Sequence, residues 1–592
     1  MNNFNIYNFG NKSAYGSLTF NTVPLFMQGI YDQYSALTPG SAPGDRYWAY
    51  KVAGFYVQDD MRVTSRFTVN AGLRYEFMTV PNERYGRQSR FLNFADPKQT
   101  WTYGPVMRNA SLKNFSPRVG FAWDVRGNGK TAIRSGFGLY QDVATFGTAI
   151  AQESLAQPPY SSQSSVNSNP TGRLLTLPLT FGPADLGNRL QSMAYNLNQP
   201  YSLQYNFTVE QQLPLGMGLA VSYVGLRGIH LWQVKEGNPE IPTIVNGDQG
   251  WFPYLCSGVP SAVPCTGAVA NPAYQRINPN YASFIDVATG GDSWYNSLQL
   301  LLNKRLSHGL EFQSSYTWGK SLDDAQGQSF SSDCAATGEW GGASPTNTRR
   351  DKGPSCFDVK HNFHFNLLYH IPDIKSDKFG AKLLSGWWMG NIVTVQSGFP
   401  FTPLLNANRS NNGEWVGQGA TGIQDRVSLG TATTSTTFSC SGTGSAFPGA
   451  PPCSNGHVTY QFIPYDSSKV ITGNPNMWFN PLMFQLGPAG FLGDAGRGML
   501  RGPGLSTWDI SVNKDTRLPF LGEGGKLQFR AEIFNILNHA NFDALDTNTG
   551  RVFTGTLTDP AGATEAPVAN VGKITATATS SRQIQLALKI VF

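Results

Sequence analysis

The sequence predicts an all-β fold in the form of an antiparallel transmembrane β-barrel. Three observations carry this prediction: apolar and polar residues alternate in many segments, short and long connections alternate between those segments, and the chain ends in an alternating segment. The alternating runs are close to the ~9 to 11 residues with which a tilted strand crosses a bilayer. They are longer than the ~5 to 6 residues of a typical strand in a soluble protein.

Composition narrows the class of protein. The chain has 592 residues, of which 14% are charged, against roughly 25% in an average soluble domain. Its 64 glycines and 37 prolines indicate many turns. The net charge of +6 is spread along the chain, which gives no support to a nucleic-acid partner. No apolar run approaches the ~18 residues of a transmembrane helix, so a helical membrane protein is excluded.

Strand alternation is clearest in residues 201–213. There every second residue is apolar: Tyr201, Leu203, Tyr205, Phe207 and Val209. The same pattern recurs in residues 67–77, 115–124, 310–318 and 357–371. Each run therefore predicts a strand with one apolar and one polar face.

The connections between these runs differ in length in a regular way. Short turns lie near residues 63–65, 126–130, 214–218, 307–309 and 520–525, with a somewhat longer one near 372–381. Long stretches lie between them, at about 21–47, 80–114, 144–200, 233–292, 323–356, 399–504 and 538–580. Outer-membrane barrels show this asymmetry, with tight periplasmic turns and long external loops. A soluble β-sandwich has no reason to keep it.

Hairpins built around the short turns predict 14 strands, an even number, which places both ends of the barrel in the periplasm. They lie near 11–20, 48–61, 66–79, 115–125, 131–143, 201–213, 218–232, 293–306, 310–322, 357–371, 383–398, 505–518, 526–537 and 582–592.

The C-terminal segment is a sharp local signal. Its apolar residues share one face: Ile584, Leu586, Leu588, Ile590 and Phe592. Gln583, Gln585 and Lys589 share the other face. The segment resembles the C-terminal signal of outer-membrane proteins, which the barrel-insertion machinery reads. The alternative is an ordinary last strand of a soluble sheet, although such an edge strand would seldom stay apolar to its final residue.

The six cysteines fall into three local pairs, each in a stretch rich in glycine, serine and proline. We predict disulfides between sequential cysteines, one of the 15 pairings that six cysteines allow: Cys256 with Cys265, Cys334 with Cys356, and Cys440 with Cys453. Disulfides that staple loops imply an oxidising compartment. The chain contains no CxxC spacing, which weakens a zinc or redox interpretation.

Several separated segments resemble a known family. Residues 54–76 (GFYVQDDMRVTSRFTVNAGLRYE), 114–142, 295–324, 386–402 and 530–542 (RAEIFNILNHANF) are similar to the barrel of TonB-dependent receptors, and most similar to the Oar-like group. The resemblance spans nearly the whole chain. Full-length members carry an N-terminal carboxypeptidase-regulatory-like domain, a plug, a box that engages the energy-transducing partner, and a barrel of 22 strands.

Against that family pattern, the 14 strands would correspond to the C-terminal part of the barrel. We expect the chain to begin inside the barrel, because no plug, coupling box or signal peptide is recognisable in it. Energised gating through a TonB-type complex would then require a plug supplied by sequence outside this chain. A partial barrel would also leave two strand edges unsatisfied in lipid.

The resemblance implies a receptor and transporter, not an enzyme, whose external loops bind an unidentified solute. We expect the polar strand face to line the lumen, with outer-membrane lipid against the apolar face. Lys or Arg facing lipid at the bilayer midplane costs about 2 to 4 kcal/mol, so charged strand residues should face inward. The predicted lumen residues are Arg74, Glu76, Arg118, Gln204, Glu210, Lys360, Arg530 and Glu532.

Catalytic, metal and cofactor motifs were not found: there is no HExxH, GxSxG, phosphate loop or EF-hand loop. His361 and His364 are three residues apart on a predicted strand and would point to opposite faces, which disfavours a shared metal. The asparagines of residues 535–541 are expected to satisfy turn backbone. Loop aromatics such as Trp101, Trp251 and Trp478 fit either loop packing or contact with a ligand.

Three other classes stay open at this stage. A complete 14-stranded passive channel would share the same barrel. A surface adhesion protein would use the long loops for attachment. A soluble secreted sandwich would need no detergent to stay monodisperse.

Overall fold

The structure is a computed structural model of the chain. It describes residues 2–8, 16–20, 22–31, 33–41, 45–94, 96–143, 160, 162–167, 173–181, 190–281, 284–325, 344, 347–374, 376, 379–412, 425–441, 443–445, 447, 449–518, 520, 522, 524–545, 550–557 and 565–592.

One sheet dominates the described part of the chain, with 17 strands. Three of these are short additions at Asn82–Glu83, Leu190–Met193 and Gly353–Pro354. The other fourteen are β1 (Asn2–Asn8), β2 (Arg46–Thr64), β3 (Phe67–Met78), β4 (Phe115–Asp124), β5 (Thr131–Gln141), β6 (Tyr201–Leu213), β7 (Met217–Glu236), β8 (Phe284–Ser307), β9 (Leu310–Asp323), β10 (His361–His370), β11 (Trp387–Gln396), β12 (Leu505–Arg517), β13 (Lys526–Phe534) and β14 (Gln583–Val591).

Each of these fourteen strands pairs antiparallel with the next one along the chain, in one unbroken series from β1 to β14. The all-β antiparallel fold and the count of about 14 strands are therefore confirmed. In β6 and β7, for example, Tyr201 lies opposite Ile229 and Leu213 lies opposite Met217, with no register shift between them. Such a continuous ladder satisfies the backbone hydrogen-bonding groups between neighbouring strands.

The predicted first strand near 11–20 was wrong. The first strand of the main sheet is β1, whose residues pair with Arg46–Val52 of β2. Ser17–Thr19 instead pairs with Gln33–Leu37 in a separate three-stranded sheet, and residues 11–15 lie outside the described residues. Phe4 and Ile6 pack against a hydrophobic cluster that includes Trp48 and Tyr50, and this apolar contact fixes β1 beside β2.

Other strand bounds differ from the prediction. The largest difference is at β8, which begins at Phe284 instead of near residue 293 and so extends into a stretch predicted as a loop. Two further strands are shorter than predicted. The run at 357–371 forms a strand only from His361 to His370, because Asp358 turns back to accept a hydrogen bond from Ser321 N at 2.6 Å. The run at 383–398 begins with a short helix and becomes a strand at Trp387. Alternation continues across the first of these boundaries, so the sequence pattern did not mark it, whereas residues 383–398 alternate poorly.

The short turns have the local chemistry that their residues predict. Between β4 and β5, Asp124 accepts hydrogen bonds from Gly127 N and Gly129 N, both at 2.9 Å. Both glycines have positive φ, 68° and 69°, a region in which a side chain would be strained. The turn closes tightly because an Asp side chain satisfies its backbone donors.

The remaining described elements are short. Two helices span Val23–Met27 and Phe379–Leu384. The 3-10 turns are Ser111–Lys113, Pro214–Gly216, Thr348–Asp351 and Pro481–Met483. Among the described residues, none of the helices combines the length and apolar character that crossing a membrane requires. The short strands outside the main sheet are Ser17–Thr19, Ile30–Tyr31, Gln33–Leu37, Ser89–Arg90, Thr102–Tyr103, Gln163–Asn167, Arg173–Leu174, Thr243–Val245, Asp248–Gly250, Tyr254–Cys256, Val259–Ser261, Val269–Ala270, Pro400–Phe401, Leu404–Leu405, Ser428–Leu429, Thr434–Ser439, His457–Phe462, Ile471–Asn474, Met477–Phe479, Phe484–Gln485, Leu500–Arg501 and Arg551–Phe553.

The apolar strand rows are exposed on the surface of the protein. Phe207 of β6 is 46% exposed, and its partner Tyr223 on β7 is 45% exposed. The C-terminal row is exposed as well, with Leu586 and Leu588 both at 68%. Side chains of this size on one continuous face fit contact with hydrocarbon.

We expect Phe207→Arg, in the middle of β6, to lower the free energy of unfolding by about 2 to 4 kcal/mol, because it places a cation against lipid. Thr208→Arg, on the opposite face, is the matched control and should change it much less. Urea unfolding in lipid vesicles measures both. Equal destabilisation by the two variants would contradict the assignment of the two faces.

Candidate functional site

The stretches at 399–504 and 538–580, predicted as long loops, fold together around a hydrophobic core. We call their described residues the cap. Buried residues of the cap core include Phe401, Val427, Phe479, Phe484 and Phe553. Its backbone pairs in five small two-stranded sheets, of which the largest joins Thr434–Ser439 to His457–Phe462. The cap is therefore a packed structure with its own core.

Two arginines join the cap to the ends of the barrel strands, of which Arg497 is buried and Arg501 is partly exposed. Arg497 of the cap forms an ion pair with Asp323 at the end of β9 and donates to Gly353 O at 3.2 Å. Arg501 pairs with Asp358, which precedes β10. Arg497 and Asp323 are both nearly inaccessible to water. Removing either side chain would therefore leave the other charge buried without a partner, which strongly lowers the stability of the protein.

A third ion pair joins the cap to the turn Thr348–Asp351, and two buried polar side chains, Asp425 and Ser410, lie within the cap. Arg426 donates to Asp351 at 2.8 Å, and both side chains are 6% exposed. Asp425 is buried and accepts hydrogen bonds from Ser410 N at 2.5 Å and Ser410 Oγ at 3.0 Å. Burial raises the pKa of Asp425 to about 7, although the Ser410 donors and Arg409 act in the opposite direction.

A second cluster lies above β7. Arg276 pairs with Glu240 at 3.3 Å and lies 3.8 Å from Glu236. Burial raises the pKa of Glu240 above the usual value of a glutamate, and raises the pKa of Tyr274 to about 12. Arg276 also donates to Asn238 O at 2.6 Å, so the cluster joins two distant parts of the loop that follows β7. In the described ranges, no three His, Cys, Asp or Glu side chains are grouped to hold a metal ion.

Three of the predicted lumen residues lie around one trough on the polar face of β2 to β6: Arg74, Arg118 and Gln204. Arg74 is paired with Glu76 at 2.5 Å, and the guanidinium of Arg118 lies 4.3 Å from the ring centre of Tyr140. The position of these side chains in a lumen stays a prediction.

The other predicted lumen residues are not in that trough. Glu210 of β6 accepts a hydrogen bond from Arg134 Nε at 3.1 Å. On β13, Arg530 and Glu532 lie 3.9 Å apart. Lys360 is exposed just before β10, and its carbonyl accepts a hydrogen bond from Gly319 N at 3.0 Å.

The C-terminal residues lie on β14, which pairs with β13 from Lys526 opposite Val591 to Phe534 opposite Gln583. Ile584, Leu586, Leu588 and Ile590 form one exposed row along it, and Phe592 follows it at 89% exposure. Recognition of this row by the insertion machinery stays a prediction.

Two disulfides lie in the loops. Cys256 is bonded to Cys265, and Cys440 is bonded to Cys453 within the cap; in both, the Cα atoms are 5.9 Å apart. Cys356 is disulfide-bonded, and Cys334 lies outside the described residues.

The loop aromatics and asparagines serve packing and backbone hydrogen bonding. Trp251 is fully buried, and Trp478 Nε1 donates to Arg501 O at 2.8 Å. Asn541 accepts from Ser506 N at 2.7 Å, and Asn535 accepts from His539 N at 2.9 Å. These contacts agree with the structural interpretation of the FNILNHANF segment.

The two histidines on β10 have different partners. His361 Nδ1 lies 2.8 Å from Tyr316 Oη, and His364 Nδ1 lies 3.1 Å from Thr394 Oγ1. Their opposite orientation follows from strand geometry.

Sequence reasoning missed the cap core and the buried arginines Arg409, Arg426 and Arg497. One signal was available. In His457–Phe462 the residues Val458, Tyr460 and Phe462 alternate with polar ones, and all three are buried. That alternation is typical of a strand packed against a core, but its six residues fall short of a membrane-crossing strand.

A family model described as outer membrane beta barrel domain matches residues 1–585. The chain belongs to this outer-membrane β-barrel family. Its location is accordingly the outer membrane. No curated protein matches the chain.

Solved outer-membrane receptors and transporters are similar to this chain at low identity. The outer-membrane transporter YddB from Escherichia coli is 10% identical with a TM-score of 0.35, over 95% of this chain and 51% of that one. The ferripyoverdine receptor of Pseudomonas aeruginosa is 8% identical with a TM-score of 0.36, over 92% of this chain and 39% of that one. The siderophore receptor PiuA from Acinetobacter baumannii is 8% identical with a TM-score of 0.36, over 94% and 44%. The chain spans about half or less of the length of these structures.

We expect Arg497→Leu to destabilise the cap by about 3 to 5 kcal/mol, because it leaves Asp323 buried and unpaired. Lys469→Leu is the control, since Lys469 is 75% exposed and its pair with Asp466 should matter little. Hydrogen exchange of the cap amides measures the change. Unaltered exchange in Arg497→Leu would show that the pair does not hold the cap.

The raised pKa of Asp425 predicts a pH dependence. The folded cap binds a proton that the unfolded chain releases above its ordinary pKa of 3.8, so cap stability should fall as pH rises from about 4 to about 7. Asp425→Asn removes the titration and should flatten this decline. Limited proteolysis of the cap across this pH range tests it, and an unchanged slope in the variant would assign the effect to another group.

Proposed function

We propose that this chain is the barrel part of an Oar-like TonB-dependent receptor, which binds a solute at its external side and passes it across the outer membrane. Support comes from membership of the outer-membrane barrel family over residues 1–585. The segments at residues 54–76 and 530–542 resemble the barrel of these receptors. In this proposal, energy arrives through a TonB-type complex that acts on a plug supplied by further sequence.

The single observation that carries the receptor proposal is the cap. A passive pore has no need of a packed core and of ion pairs at the strand ends, where buried Arg497 meets Asp323 and partly exposed Arg501 meets Asp358. Buried pairs hold one conformation because breaking them is costly. A rigid, disulfide-stapled surface suits selective capture of a solute, since little ordering entropy is lost on binding.

The polar strand face supports passage of a hydrophilic solute. Arg74, Arg118, Glu210 and Arg530 all lie on strands whose opposite face is apolar. In the proposed barrel they line a water-filled interior, with the apolar rows against lipid. The loop disulfide at Cys256 fits an oxidising location for the loops.

The passive 14-stranded channel is the second candidate, and the unbroken series of fourteen paired strands favours it. The two functions differ in resting permeability. A passive channel conducts ions steadily, whereas a receptor opens only when it is driven.

In a planar lipid bilayer, we expect the purified full chain to show no steady ohmic conductance, because in this proposal the cap closes the external end of the barrel. Deleting residues 406–494 should then produce an open pore. A steady conductance in the full chain would show that the cap does not close the barrel, and would favour the passive channel over the receptor. Loss of cell attachment on the same deletion, with solute uptake unchanged, would instead identify an adhesion protein.

A further inference from the structure

The trough on the polar face of β2 to β6 has a volume of about 440 Å³ and a floor of glycines. Gly120 of β4 lies opposite Gly136 of β5, and Gly138 lies opposite both Arg118 and Gln204 on its two neighbouring strands. The Tyr140 ring lies against Gly138 and the Asn206 amide lies beside Gly136, whereas no side chain comes within 4 Å of the Cβ position of Gly120. A ligand can therefore approach the backbone of the sheet most closely at Gly120.

Arg118 contributes the positive charge of the trough. Its guanidinium is stacked on the Tyr140 ring, and none of the ion pairs among the described residues includes it. The nearby Arg74 is neutralised by Glu76, and the acid Asp60 at the edge accepts a hydrogen bond from Asn70. The trough therefore keeps one cation without a carboxylate partner.

Ser116 provides an independent indication of a ligand. It lines the same trough, is 1% exposed, and its Oγ has no hydrogen-bond partner in the described part of the chain. It lies opposite Arg74 and two residues from Arg118, on the same face of β4. Buried hydroxyls in native proteins nearly always have a partner, so an acceptor atom of a ligand fits this position.

We propose that this trough binds the anionic oxygen group of a solute, a carboxylate or a phosphate. Arg118 supplies the charge and two parallel N–H donors, and Ser116 Oγ–H supplies a third. The side-chain amides of Gln204 and Asn206 border the same space and add neutral donors. This site deepens the proposed function, on which it rests for access of the solute, and gives the chemical class of that solute.

The test measures binding by the full chain in detergent micelles at constant ionic strength. Equilibrium dialysis with labelled inorganic phosphate and labelled succinate should show saturable binding of at least one probe. Arg118→Gln should weaken it about tenfold or more, because a charge-assisted hydrogen bond is lost. Arg118→Lys keeps the charge and should retain part of the affinity, while Ser116→Ala should weaken it by a smaller factor.

Arg134→Gln is the matched control. Arg134 lies on the polar face of β5 and is already paired with Glu210, so its loss should leave anion binding unchanged. Gly136→Val narrows the trough without changing charge, because a Cβ at Gly136 already comes within 3.4 Å of Asn206 Nδ2. It should abolish binding. Heat-modifiable migration on gels shows that each variant is folded.

Binding of phosphate alone, of succinate alone or of both supports the site and identifies the source of the anionic group. Absence of saturable binding of either probe, or equal loss in Arg118→Gln and Arg134→Gln, overturns it. The result of this binding experiment can be distinguished from the result of the conductance experiment on the proposed function. A steady bilayer conductance with intact Arg118-dependent binding would count against closure by the cap and leave the site standing, and a closed full chain that binds no anion would refute the site alone.

Discussion

The backbone of a membrane-crossing segment must find all its hydrogen-bond partners inside the protein, because hydrocarbon offers none. The rest of this structure depends on that constraint. It explains why strands pair consecutively from β1 to β14, and why their length exceeds that of ordinary strands. It also explains the alternation of side chains, since the sheet has to present apolar groups to lipid on one face and polar groups on the other.

The cap obeys a different constraint. Outside the bilayer its segments can hydrogen-bond with water, so they must bury apolar surface of their own to stay ordered. They do so around Phe479, Phe484 and Phe553. The arginines that join the cap to β9 and β10 lie where the two regions meet, with their charges matched by Asp323 and Asp358. Those pairs orient the cap on the barrel, because a buried charge tolerates few alternative positions.

The two proposed functional surfaces are the cap and the trough. The cap contains the disulfide at Cys440 and a buried Asp425 whose protonation is linked to its folding. The trough around Arg118 and Ser116 lies on the sheet itself. The cap suits selection of a solute and the trough suits its passage. The two proposals therefore assign different steps of transport to different residues.

The alternation of apolar and polar residues was by itself enough to predict much of the fold. It predicted the all-β fold, the two faces of each strand and thirteen of the strand positions to within several residues, because side chains alternate along a strand regardless of what lies beside it. It misplaced the first strand, since Phe4 and Ile6 are assigned to β1 only by their contact with the cluster around Trp48. The tertiary structure alone decided the cap and the trough. Arg497 and Asp323 are 174 residues apart, and Arg118 of β4 and Gln204 of β6 come together only across β5. Such contacts depend on chain reversal and register, which no local pattern of residues encodes.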